Sequence, residues 1–199
     1  MPPRARRCGT ITHVRQTRLS AAERLDLIRS QIRDIPDFPK PGILFRDITT
    51  VLADPAAWRA TVEELCAAVS SWDFDVVVGL ESRGFILGSV LSYEMGVGFV
   101  PVRKKGKLPG AVHAVEYELE YGLDSLEIHR DALGAGHRVL IVDDLLATGG
   151  TATASASLVA ACGAKVAGSA FLVELVDLGG RAPLAERTEN APIAALLQY

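Results

Sequence analysis

Asp143 and Asp144 close the apolar run VLIV, and ATGGT, a stretch of glycines and hydroxyls, begins three residues later. A glycine-rich turn after a strand presents several backbone N–H groups in one concavity, which suits a phosphate. Gly149 and Gly150 carry no Cβ, so the chain can approach a ligand closely there. Thr148 and Thr151 add hydroxyl donors, and a helix starting here aims its positive end at the same spot. Ionised carboxylates only accept hydrogen bonds, and they repel phosphate. A ribose 5-phosphate satisfies both groups, with its phosphate in the turn and its 2′- and 3′-hydroxyls on the acids. The plainer alternative has Asp143 and Asp144 merely ending a strand and capping a helix.

Other routes to nucleotide or metal chemistry fail on spacing. Gly79 and Gly84 have the glycine spacing of GxxxxGK[ST], but Phe85 and Ile86 stand where Lys and Ser or Thr belong. No GxGxxG follows a strand, and no GxSxG elbow is present. No His/Cys/Asp cluster has metal-ligand spacing, and His13, His113, His129 and His137 are isolated. The run RKKGK places Arg103, Lys104, Lys105 and Lys107 within five residues. Alone it reads as a solvated face. Beside Gly106, Pro109 and Gly110 it reads as a lid that closes on an anion.

Periodicity indicates the elements that must position these groups. Ser20 and Glu23 make a capping box. Leu25, Ile28, Ile32 and Ile35 recur at helical spacing, predicting a first helix to about Asp34. Pro36, Pro39, Pro41 and Gly42 break it, and GILFRDITTVL predicts a short extended piece and a turn. Asp54 and Pro55 look like an N-cap and first helical residue, with Trp58, Val62, Leu65 and Val69 as the buried stripe. Strands are predicted from Val76 to Leu80, in GFVPVRK, in RVLIVDD and in AKVAGSAFLVELV, and IAALLQY suggests another. GFILGSVLSYEMG reads as a helix closed by Gly96, and residues 151–161 as a small-residue helix. KKGKLPGAVHA has the composition of a mobile loop. VEYELEYG and DSLEIHR predict a hairpin across Gly122 and Leu123. Strands alternating with helices imply an α/β fold, a mainly parallel sheet flanked by helices, with the ligand beyond the carboxyl ends of the strands.

The 199 residues suffice for one domain with a sizeable core. A net charge of -3 gives no general reason to expect nucleic-acid binding. No apolar run approaches the roughly 20 residues a membrane helix needs. Cys8, Cys66 and Cys162 are odd in number and form no CxxC pair, which fits a reduced, cytoplasmic setting. The start differs: Arg4, Arg6, Arg7, Arg15 and Arg18 meet no acid. Residues 1–19 are therefore expected to be a disordered leader, or a start placed too far upstream, and residues 20–199 the domain. A transit peptide is the alternative.

VLIVDDLLATGGT resembles the phosphoribosyl pyrophosphate (PRPP) motif of the type I phosphoribosyltransferases. DFPKPGILFRDITTVL, GLESRGFILG, PVRKKGKLPG, YELEYGLDSLEIHRDAL and LVELVDLGG narrow the resemblance to the adenine phosphoribosyltransferases, over residues from about Ser20 to Ala185. The resemblance implies that family's fold, with a flexible hood and lid hairpin, and its reaction: adenine and PRPP give AMP and pyrophosphate, with magnesium. It places the 5′-phosphate on Ala147, Thr148, Gly149, Gly150 and Thr151, and the ribose hydroxyls on Asp143 and Asp144. Ser82, Arg83 and Gly84 match the pyrophosphate loop, with a cis Glu81–Ser82 peptide. Arg103, Lys104 and Lys107 match further PRPP contacts, and Arg103 is expected to reach the neighbouring site of a homodimer. No all-protein magnesium site is evident, so the ion is expected to arrive on PRPP.

For the base, the resemblance implies the Leu44 carbonyl and Arg46 amide on the adenine edge, Phe45 on the ring and Leu175 opposite. From pattern alone, Phe45 is an ordinary core aromatic. Glu116, Glu118 and Glu120 share one face of an ideal strand, and spacing does not choose a proton carrier among them. The resemblance points to Glu120, with Tyr121 beside it on the lid. Two rival functions remain: a phosphoribosyltransferase for another purine, and a regulator that keeps the PRPP pocket but binds nucleic acid. LFR and LEYG argue against the first, and the lack of an added winged-helix domain or basic face beyond the leader argues against the second.

Overall fold

The computed structural model describes residues 19–119 and 122–199. The leader, Glu120 and Tyr121 lie outside the described residues. Helix α1 (Ala21–Gln31) begins where Ser20 and Glu23 close the expected reciprocal capping box. It stops short of Asp34, because Arg33–Pro36 is strand β1, paired antiparallel with β2 (Leu44–Asp47). Pro36 pushes its predecessor Ile35 out of helical conformation, and Arg33 ion-pairs with Asp47 directly across the ladder. The expected turn after β2 is a short helix, α2 (Thr49–Ala53).

Asp54 caps α3 (Pro55–Val69), its side chain accepting from the Ala56 and Ala57 amides. The buried face holds Ala57, Ala60, Thr61, Glu64, Leu65 and Val69, whereas Trp58 and Val62 are only half-buried. The stripe is rotated from the expected one because α1 also packs on this helix, and Arg24 from α1 donates to the buried Glu64 carboxylate. A carboxylate is tolerated there because it is paired.

Seven strands form the main sheet: β3 (Val76–Leu80), β4 (Gly98–Lys104), β5 (Val112–Leu119), β6 (Gly122–His129), β7 (Arg138–Leu146), β8 (Lys165–Glu174) and β9 (Ile193–Gln198). Their order is β5-β6-β4-β3-β7-β8-β9. β4, β3, β7, β8 and β9 run parallel, and the β5–β6 hairpin adds antiparallel to β4. Leu119 pairs with Gly122 and Glu118 with Leu123, so the reversal comes earlier than a turn across Gly122 and Leu123. Val112 to Ala114, expected in a loop, already belong to β5.

α4 (Arg83–Met95), closed by left-handed Gly96, packs with α1 and α3 on one face of the sheet. Leu87 and Leu91 of α4 share that core with Val77, Leu140 and Leu172. α5 (Gly150–Ala161) covers the opposite face, where Leu158 and Val159 meet Val78, Ile141 and Leu126. β3 has β4 on one side and β7 on the other, so the chain leaves β3 in one direction and later returns on the other. The carboxyl ends of β3 and β7 therefore open a crevice where ligands bind in such sheets.

Candidate active site

The loops after β3 and β7 bound a cleft of about 530 Å³. Asp143 and Asp144 lie on its floor, only 9% and 5% exposed. They neither end the strand nor cap the helix: β7 runs on to Leu146, and α5 is capped by Gly149 without a side-chain bond. The Asp144 amide donates to Asp143 Oδ1 at 2.9 Å, and Arg83 Nε lies 2.7 Å from Asp144 Oδ2. Burial, then the Asp144 charge, pushes the Asp143 carboxyl well above the ordinary carboxylate range. Burial also raises Asp144, with the Arg83 charge opposing it. Two such acids welcome hydroxyl donors or a cation.

Glycines permit the close approaches around the pair. A Cβ on Gly84 would lie 2.7 Å from the Val142 carbonyl and 2.9 Å from Asp143 Oδ1, so a side chain there would displace the acid. The adjoining Glu81–Ser82 peptide is cis, as expected. Residues 147–151 form the opposite rim. Gly149 has φ +84°, a backbone that side-chain-bearing residues rarely adopt, and it turns the chain into α5. The α5 N-terminus thus opens into the cleft, which Thr148 and Thr151 also line.

A third wall comes from β4 and the hairpin. Lys104 lines the cleft, its Nζ 3.3 Å from Asp124 Oδ2, and the Tyr117 hydroxyl donates to the same oxygen at 3.2 Å. Burial pushes Asp124 up, but the Ser125 amide and Lys104 outweigh it, so this carboxyl stays below the ordinary range. Asp124 and Tyr117 were not singled out from sequence. The available signal was that Asp124 continues the alternating stripe of Leu126 and Ile128. Of the other cations, Arg103 pairs with Glu81 at 3.3 Å and donates to the Lys107 carbonyl at 3.1 Å. Arg103 and Lys107 do not line this cleft.

The residues expected at the base lie on β2 and just past β8, outside the cleft lining. Phe45 adjoins it through Arg83, whose guanidinium carbon is 5.4 Å from the ring centroid, and Phe38 meets Phe45 edge-on at 5.2 Å. Leu44 pairs with Pro36 and Arg46 with Asp34 across the two-stranded ladder. Arg46 ion-pairs with Asp34 and lies 4.0 Å from the Tyr199 ring centroid. The Leu175 amide donates to the Leu146 carbonyl at 2.9 Å, which joins the exit of β8 to that of β7. Among the described residues, no group of three or more His, Cys, Asp or Glu could hold a metal ion.

The chain matches the phosphoribosyl transferase domain over residues 52–186. It is 56% identical over 172 residues to adenine phosphoribosyltransferase of Synechococcus sp., covering 86% of this chain and 98% of that protein. The crystal structure of adenine phosphoribosyltransferase from Thermoanaerobacter pseudethanolicus superposes with a TM-score of 0.84 at 52% identity, covering 88% of this chain and 99% of that one. The Saccharomyces cerevisiae enzyme, complexed with an imino-altritol bisphosphate and adenine, gives 0.81 at 41% identity, over 88% and 99% of the two chains.

Proposed function

The chain belongs to the phosphoribosyltransferase family, among the adenine phosphoribosyltransferases, and we propose that the cleft between β3 and β7 is where it performs that family's reaction. Adenine N9 bonds to C1′ of PRPP, the bond from C1′ to pyrophosphate breaks, and AMP and pyrophosphate leave. The chemistry serves purine salvage. The observation that carries the assignment of the site is the meeting of a glycine–hydroxyl turn at a helix N-terminus with two buried acids in one cleft. Residues 147–151 hold the 5′-phosphate, and Asp143 and Asp144 accept the ribose hydroxyls.

Ser82, Arg83 and Lys104 face the pyrophosphate. Arg83 also contacts Asp144 and Phe45, so an arriving anion competes for its guanidinium and releases Asp144 to the ribose. Arg103 and Lys107 supply further positive charge, and Arg103 serves the neighbouring site of a homodimer. The outer face of α4, where Ile86 and Tyr93 are exposed, supports such an interface. Magnesium bound to PRPP would stabilise the leaving group's charge. The described donor set fits an ion carried by substrate rather than one held by a protein cage, since the carboxylates in the cleft do not form a metal cluster.

Adenine lies between Phe45 and Leu175, its N6 amino group donating to the Leu44 carbonyl and its N1 accepting from the Arg46 amide. Guanine would set its O6 acceptor against that carbonyl, an unpaired buried group costing about 1–3 kcal/mol. Glu120 takes or shares the purine proton at the imidazole edge, with Tyr121 closing over it. Among the described residues no helix is long and apolar enough to cross a membrane. Cys66 and Cys162 are free thiols, which supports a cytoplasmic enzyme. Incubating the protein with PRPP, Mg²⁺ and adenine tests the proposal. AMP and pyrophosphate should appear one for one; PRPP left intact would contradict it.

A further inference from the structure

Beyond Leu175, the stretch after β8 that ends in Gly179 and Gly180 has no part in the chemistry above. Its geometry ties it to the phosphate turn. A Cβ on Gly180 would lie 2.2 Å from the Ala147 carbonyl oxygen, 2.6 Å from the Gly149 nitrogen and 2.8 Å from the Thr148 carbonyl carbon. A Cβ on Gly149 would lie 2.5 Å from the Gly180 carbonyl oxygen. The two glycines therefore sit back to back, and the phosphate turn rests on the Gly180 backbone without room for a methyl group. Gly180 has φ -63°, so nothing in its own backbone demands glycine. The contact with the turn does.

The next residue fixes this support. Arg181 makes a two-pronged pair with the buried Glu174 at 2.9 and 2.6 Å, and a third bond to the Ile193 carbonyl at 2.9 Å. Gln198 completes Glu174 at 3.0 Å. The start of α6 (Arg181–Arg187) is thereby riveted to the ends of β8 and β9. Planar, bidentate pairs of this kind define geometry more sharply than a point charge does. We propose that Gly180 and Arg181 are positioning residues for PRPP: they form a backing plate that holds the 147–151 turn in its phosphate-binding shape. This rests on the reading that the turn holds the 5′-phosphate.

Four variants, assayed for KM of each substrate and for PRPP binding by calorimetry, test the plate. Gly180→Ala should raise the PRPP KM at least about tenfold, with the adenine KM within about twofold. Gly179→Ala is the control: its φ of +67° makes alanine strained, yet nothing lies within 4 Å of its Cβ position, so PRPP binding should hold. Arg181→Met introduces no clash and keeps the question open to test where Gly180→Ala does not fold; it should raise the PRPP KM several-fold. Unchanged PRPP binding in folded Gly180→Ala or in Arg181→Met, or an equal rise for both substrates, overturns the plate. Thr151→Val separates the two ideas. If it weakens PRPP while the plate variants do not, only the plate fails; if it too leaves PRPP binding unchanged, the phosphate assignment fails.

Discussion

The two ends of the proposed substrate are met by different kinds of structure. The ribose-phosphate end is made from the central strands β3 and β7, with buried acids and a turn pressed against neighbouring backbone. The proposed base end is a two-stranded hairpin, β1–β2, outside the main sheet, with Leu44 and Phe38 substantially exposed. Side chains clasp it: Arg33 to Asp47 and Arg46 to Asp34 across the hairpin, and Arg46 over the Tyr199 ring beyond it. Rigid backbone suits a phosphate and ribose common to many nucleotides. A hairpin clasped by side chains is where a base preference can be set without disturbing that core.

Substitutions at the reacting centre should have the largest effects. Glu120→Gln is expected to lower turnover by about 10²–10⁴ if Glu120 moves the proton, and near-native turnover would remove it from that role. At the ribose end, Asp144→Ala should lower kcat/KM for PRPP about 10–100-fold, the worth of a hydrogen bond to a charged group, with adenine affinity retained. Phe45→Ala should do the reverse, raising the adenine KM and sparing PRPP. Equal losses for both substrates in either variant would dissolve the division between the two ends.

The pH response should separate the ends as well. Asp143 and Asp144 are raised by burial, so in the free protein their ionisation works against the fold, and stability falls as pH climbs from the ordinary carboxylate range through their raised values. Donors or a cation at the pair favour the ionised forms. PRPP with Mg²⁺ should therefore release protons on binding and bind less tightly as pH drops. Calorimetry in buffers of different ionisation enthalpy reads this, and buffer-independent heats would contradict it. On β2 the sign is opposite. The Thr49 amide and hydroxyl, with Arg33, hold the Asp47 carboxyl down to about 2. Its contribution is present above about pH 4 and is lost as pH falls through that value toward 2. Asp47→Asn should cost about 1–3 kcal/mol in urea unfolding at neutral pH, with most of that loss gone at pH 2. The smallest effect is expected at the clasp. Tyr199→Ala should raise the adenine KM a few-fold and Tyr199→Phe should restore it, because the ring face and not the hydroxyl meets Arg46.

The two ends also differed in how much could be read from sequence. VLIVDDLLATGGT is local: strand, acids, turn and helix are contiguous, so residue types alone point to a ribose 5-phosphate holder. Helical spacing misled at Ile32 and Ile35, because Pro36 and the Arg33–Asp47 pairing impose a strand that periodicity does not register. Asp124, Lys104 and Tyr117 converge from three strands, and only the sheet order brings them together. Gly180 falls within the family-like stretch LVELVDLGG, but its contact with Gly149 spans 31 positions and has no local signature. The Arg103 partner visible within this chain, Glu81, was likewise not foreseen.

The most direct test of the central claim is one assay of the purified protein with PRPP and Mg²⁺, offering adenine, hypoxanthine, guanine and xanthine in parallel. The account predicts AMP and pyrophosphate from adenine, with the other three bases left unconverted. Turnover of a base carrying O6 in place of the N6 amino group would contradict the role given to the Leu44 carbonyl, and no product with any base would contradict the enzyme.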